Sequence, residues 1–148
     1  MVRAAPGCDV AASHPALADL IAHGWPEDIW FHVHGHSSAH IYLRIPKGMN
    51  LTDVPADIVH ECSQLTKANS IEGCKLSHVA IVYTPWANLR KAAGMADGQV
   101  GFHNRRAVSQ TVIEHRVNAI INRLNKTKHE VNHDSTKLAD VRVCACVT

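Results

Sequence analysis

Four histidines fall within nine positions of one stretch, "DIWFHVHGHSSAHIYLR": His32, His34, His36 and His40. Imidazoles at this density can serve metal ligation, acid–base work beside a nucleophile, or hydrogen bonding to phosphate and base. Zinc needs three or four ligands converging on one point, with nitrogens at about 2.0–2.1 Å. Alternate residues on a strand lie about 7 Å apart, so a straight strand does not bring three alternating histidines onto one ion. His40 joins them only if a three-residue loop at 37–39 sets it opposite His36; a two-residue loop at Ser37–Ser38 pairs His36 with Ala39 instead. A metal site made of His32, His34, His36 and His40 is therefore an alternative that hangs on the turn. Ser37 and Ser38 lie close by, but there is no GxSxG elbow and no third triad member. HExxH, a phosphate-binding GxxxxGK[ST] loop and an H-x-E with a later PCxxC are also absent. No enzyme and no cofactor are expected.

The elements that must carry these residues can be read from periodicity. "DIWFHVH" alternates, with Phe31 and Val33 on one face and Trp30, His32 and His34 on the other. In "HIYLR", Ile41 and Leu43 oppose His40, Tyr42 and Arg44, and "GHSS" suits the turn of a hairpin. After Pro55, Ile58, Cys62, Leu65 and Asn69 fall at helical spacing, with Val59 and Thr66 beside them. Residues 78–84 predict a β-branched strand, "QVGFH" and "SQTVIEH" predict short strands, and "PWANLRKAAGMADG" predicts irregular chain. A second helix is expected in "EHRVNAIINRLNKTK", with Val117, Ile120, Ile121 and Leu124 as its apolar stripe. Residues 15–23 suit two helical turns, while 1–24 are Ala-rich and weakly patterned. Strands with two main amphipathic helices, few of them in βαβ order, give an α+β class built on a small mixed, mainly antiparallel sheet.

Charge adds a direction. The net charge is only +2, but residues 86–129 carry eight Lys/Arg against two Asp/Glu, while residues 1–85 carry five against eight. A basic block of this kind points to a polyanion partner, against the simpler reading of a solvated basic face. Five cysteines without CxxC pairs do not form a disulfide framework, and a reduced chain is expected. No stretch is apolar for long enough to span a membrane.

Taken in order, "HGWPEDIWFHV", "SSAHIYLR", "KANSIEGCK", "IVYTPWANLRK" and "GQVGFH" resemble the NFACT-R domain family over roughly residues 20–129. The resemblance implies an α+β nucleic-acid-binding module with no established enzymatic activity. Its natural ligands would be tRNA and ribosomal RNA in a translation or ribosome quality-control setting, with ribosome-associated proteins as further partners and a cytoplasmic location. A membrane-associated relative that binds DNA makes DNA, with a nuclear or membrane-associated location, the alternative. Trp30, His32, His40 and Arg44 match the family's hairpin; Tyr83, Thr84, Leu89, Lys91, Gly98, Gly101 and His103 match its later half. His34 and His36 do not match, so His32 and His40 are expected to matter and the other two are not.

The layout that follows is a divergent N-terminal segment at 1–19, an NFACT-R-like domain at 20–129, and a short tail at 130–148. The family's N-terminal hairpin is replaced by "VRAAPGCDVAASHP", and relatives continue past 130 into a long charged helix. The candidate contacts are Trp30, His32, His40, Arg44, Arg90, Lys91, His103, Arg105, Arg106, Arg123 and Lys126. The cations would meet phosphate, and Trp30, Tyr42 and Trp86 would offer faces to bases. Against this, the aromatics would also suit a core, and His32 and His40 would also suit a buried hydrogen bond bracing the hairpin.

Overall fold

The computed structural model describes residues 2–5, 8–11, 21–96, 98–127 and 129–130. The strands are β1 (Val2–Ala5), β2 (Cys8–Ala11), β3 (Asp28–Val33), β4 (His40–Arg44), β5 (Val79–Pro85), β6 (Leu89–Arg90), β7 (Gly101–Phe102), β8 (Ser109–Ile113) and β9 (His129–Glu130). The helices used below are α1 (Ala56–Ala68) and α2 (Asn118–Lys126). One seven-stranded sheet runs β8-β5-β3-β4-β2-β1-β9, and β6 pairs with β7 in a separate two-stranded sheet. Every described pairing is antiparallel. The fold is α+β, as the patterning predicts.

Alternation explains the two faces. Trp30 lies opposite Tyr42 and Phe31 opposite Ile41, so each strand sends one set of side chains to each side. Ile29, Phe31, Val33, Ile41, Leu43 and Ile81 form the inner face. They pack with Cys62 and Leu65 of α1 and Leu124 of α2. Ser63 and Thr66 are also buried on α1; their hydroxyls donate to Val59 O and Cys62 O at 2.7 Å, which satisfies them inside the helix itself. Gln64 ties the helices together: its Nε2 donates to His115 O at 2.9 Å, and its Oε1 accepts from Val117 N at 3.0 Å. Val117 is thus the residue that precedes α2, and it is exposed rather than part of the buried stripe.

The outer face carries Trp30, Tyr42 and Val82, which are buried together with Leu89. Trp86, Val100, Phe102 and Val108 close over them. The molecule therefore has three layers: helices, sheet, and the segment from Trp86 to Val108 with its β6–β7 pair.

Two expectations need correction. The weakly patterned N-terminus supplies a hairpin, β1–β2, which adds to the sheet edge at β4. Runs of four residues, "VRAA" and "CDVA", are too short to show a clear alternation, and their strands are made by backbone pairing with β4 and β9 on either side. The β3–β4 connection is also not a tight turn. Strand β3 ends at Val33 and β4 begins at His40. The connection is pinned by Ser38 Oγ accepting from Val33 N at 3.1 Å, Ser70 Oγ donating to Ser37 O at 2.7 Å and Ala39 N donating to Asn69 O at 3.2 Å. Gly35 takes φ +75° within it, a conformation that glycine adopts without strain. The tail beyond 130 lies outside the described residues.

Candidate nucleic-acid interface

The polar face of the hairpin is the first place to look. Trp30 Nε1 donates to His40 Nδ1 at 2.8 Å. An indole N–H only donates, so Nδ1 carries no proton and Nε2–H donates to Gly98 O at 3.1 Å. His32 stacks flat on Trp30, with centroids 5.4 Å apart and planes 7° from parallel, and sits edge-on to His40 at 4.8 Å. Its Nδ1–H donates to Val33 O at 2.7 Å. Burial lowers the pKa of both imidazoles; His40 is pushed down to about 3 by burial, with the neighbouring His32 adding to it. Both rings are neutral at physiological pH; both nitrogens of His40 and Nδ1 of His32 are taken up in internal bonds.

Trp30 and His40 are each only 2% exposed. Neither can stack on a base or reach a phosphate, and Tyr42 is buried with them. These residues brace the hairpin and hold the 98–102 segment onto it. The four histidines do not converge. His40 is buried and His32 is half-buried beside it, His36 turns to Glu72 with Nδ1 at 2.8 Å from Oε2, and His34 lies exposed. Among the described residues no group of three or more His, Cys, Asp or Glu side chains is placed to hold a metal ion.

The outer layer is built on Asn88. Its Nδ2 donates to Thr84 Oγ1 at 2.9 Å and to Asn104 O at 2.8 Å, and its Oδ1 accepts from Asn104 N at 2.8 Å. Thr84 Oγ1 in turn donates to Ala107 O at 3.0 Å. Asn104 then caps the short turn that follows, accepting from Arg106 N at 3.0 Å. One buried amide so fixes the loop that carries His103, Arg105 and Arg106, all of them exposed.

Arg90 projects from β6 in the same layer and is exposed. No described carboxylate pairs with Arg90, Arg105 or Arg106. Lys91 instead holds the backbone, its Nζ donating to Ala96 O at 2.7 Å and Gln99 O at 3.0 Å and so closing the loop between β6 and β7. Trp86 is a packing residue, with Nε1 donating to Ile21 O at 3.1 Å. Its ring lies so close to Gly24 that a Cβ there would meet Nε1 at 2.2 Å.

Between this layer and the outer face of β3, β5 and β8 run two adjoining depressions of about 540 and 510 Å³. They share His34, Val82, Val100 and Phe102. Arg90 and Arg105 stand on the first, with Gln110 and Met95. Phe102, Gln110 and Met95 were not expected here. Phe102 was legible only as a strand residue, because its half-exposed position depends on a loop packed over the sheet from elsewhere in the chain.

The remaining expected contacts lie apart. Arg44 forms a two-bond ion pair with Asp28, Nε to Oδ1 at 2.8 Å and Nη2 to Oδ2 at 3.0 Å, and its guanidinium rests 4.2 Å from the centre of the Trp25 ring. Arg123 is ion-paired with Glu61 of α1. Arg123 and Lys126 belong to α2 in the helical layer, on the opposite side of the sheet from Arg90, Arg105 and Arg106. The basic block of 86–129 is thus one block in sequence and two surfaces in space.

Residues 15–104 match the sequence model of the family described as NFACT protein RNA binding domain. Coiled-coil domain-containing protein 25 of Danio rerio is 55% identical over 112 residues, covering 76% of this chain and 54% of the relative. Its Dictyostelium discoideum homologue is 53% identical over 124 residues, covering 84% and 60%. Protein JLP2 of Saccharomyces cerevisiae is 39% identical over 104 residues, covering 70% and 50%. The chain thus spans between half and three fifths of the length of these relatives. Among solved structures, the C-terminal part of the fibronectin/fibrinogen-binding protein of Streptococcus suis shares the fold, with a TM-score of 0.64 at 15% identity over 82% of this chain and 44% of that one. The chain belongs to the NFACT RNA-binding domain family.

Proposed function

We propose that this chain is a non-enzymatic RNA-binding module and that it meets RNA with its outer layer rather than with its helices. The carrying observation is that Arg90, Arg105 and Arg106 stand exposed, without a described carboxylate partner, on a layer held rigid by Asn88 and Lys91. Guanidinium groups carried on a backbone held in this way are presented from fixed positions and can each give a phosphate two hydrogen bonds. The cations on the helical side are less suited, since Glu61 already neutralises Arg123. The family resemblance favours tRNA or ribosomal RNA in a translation or ribosome quality-control setting, in the cytoplasm.

The test is a salt series. Binding to RNA is followed by fluorescence anisotropy, and the log–log slope is expected to be about −0.7 per phosphate neutralised on single strands. Replacing Arg90, Arg105 and Arg106 together with Gln should flatten the slope by up to about 2. Replacing Arg123 and Lys126 with Gln should change it far less. A reversed order places the surface on the helices. DNA of the same sequence is run beside the RNA, and equal affinity would remove the preference for RNA.

A further inference from the structure

We infer that the depression between Arg90, Arg105 and Phe102 takes an unpaired nucleotide of a single-stranded RNA, with the base against Phe102 and the flanking phosphates on the two arginines. The inference rests on the RNA-binding reading above and names the form of nucleic acid that fits.

The depression, of about 540 Å³, is open to solvent on one side, so it offers a base one face to lie against rather than enclosing a whole ligand. Its floor is apolar and partly aromatic: Val82, Val100, Phe102 and Val108. Phe102 meets Trp30 edge-on, with centroids 5.8 Å apart and planes at 61°. That contact fixes the Phe102 ring while leaving the residue half-exposed. A fixed, half-exposed aromatic under two cations suits a base with its phosphates. A duplex presents phosphate and sugar outward and keeps its bases stacked inside, so it would meet the arginines and leave the apolar floor unused. The carboxamide of Gln110, exposed on the same rim, can donate to and accept from a base edge.

The outer sheet face explains why the pocket exists. Val82 pairs with His32 on one side and Gln110 on the other, so a row of short and medium side chains crosses β3, β5 and β8. The β6–β7 pair stands above that row and is held down by the bond from His40 to Gly98 O and by the Lys91 bonds to Ala96 O and Gln99 O. The pocket is thus framed by the sheet face, by β6 and β7, and by the connection between them that these bonds tie down.

The experiment uses the full chain and a mixed-sequence RNA of about 12 nucleotides, within the usual range of single-strand sites, either alone or annealed to its complement. The single strand should bind at least tenfold more tightly than the duplex. Phe102→Leu keeps an apolar side chain over Trp30 and should weaken single-strand binding roughly tenfold, in line with the loss of one stacked base, with an unchanged salt slope and unchanged duplex binding. Should Phe102→Leu fold poorly, the unmodified protein carries the test. A 4-thiouridine in the same RNA should crosslink to residues within 99–110. Equal or tighter duplex binding, or crosslinks confined to α2, overturns the single-strand inference; duplex binding that still depends on Arg90, Arg105 and Arg106 leaves the RNA-binding reading standing. Absence of binding to either RNA overturns both.

Discussion

At the scale of single residues, the most informative group is the His40–Trp30 pair. His40 is held neutral, with its pKa pushed from the ordinary 6.5 to about 3, chiefly by burial. The unfolded chain therefore takes up a proton at this site between those two values while the folded chain does not. Stability is fully present above about pH 6.5 and falls as pH drops through the window toward 3, at no more than about 1.4 kcal/mol per pH unit for one site. His40→Gln keeps an acceptor for Trp30 Nε1 and a donor for Gly98 O but cannot titrate. Urea midpoints measured between pH 6.5 and 5 should slope less in His40→Gln than in the parent, and equal slopes would contradict the assignment. His34→Ala with His36→Ala serves as the control and should cost little, within about 0.5 kcal/mol. The family resemblance set His32 and His40 apart from His34 and His36, and the fold buries His40 while His34 stands on both outer depressions. The sequence could not show that His40 is buried under a second layer, because an alternating strand reads the same whether its polar face meets solvent or another part of the chain.

At the scale of elements, the outer layer depends on one amide. Asn88→Ala would remove three hydrogen bonds, one with Thr84 and two with Asn104. A loss of roughly 1–3 kcal/mol is expected from chemical denaturation, together with weaker RNA binding. A change within about 0.5 kcal/mol would mean that the loop is held by other contacts. Long, strongly periodic segments were readable: the stripe of Ile58, Cys62 and Leu65 on α1, and the alternation of Phe31 and Val33 on β3. The β6–β7 pair was only partly readable. "QVGFH" suggested a strand, but its partner Leu89–Arg90 is two residues long and carries no period of its own. The β1–β2 hairpin was hidden for a related reason, since two four-residue strands leave little pattern in the sequence.

At the scale of the whole molecule, the sheet divides the basic residues into two groups. Charge counted along the chain put Arg90, Arg105, Arg106, Arg123 and Lys126 in one block, and the layering sets the last two on the far side. Linear charge density is blind to that division, because it depends on which face of the sheet each element covers. If RNA meets the Trp86–Val108 layer, backbone amides there should be shielded in the complex while those of the helical layer are not. Amide hydrogen exchange of the full chain, with and without saturating single-stranded RNA, reads both layers in one experiment. Exchange across residues 90–106 should slow on binding, with α2 unchanged. Slower exchange across α2, with no change in the outer layer, would put the RNA on the wrong side of the sheet for this reading and refute it.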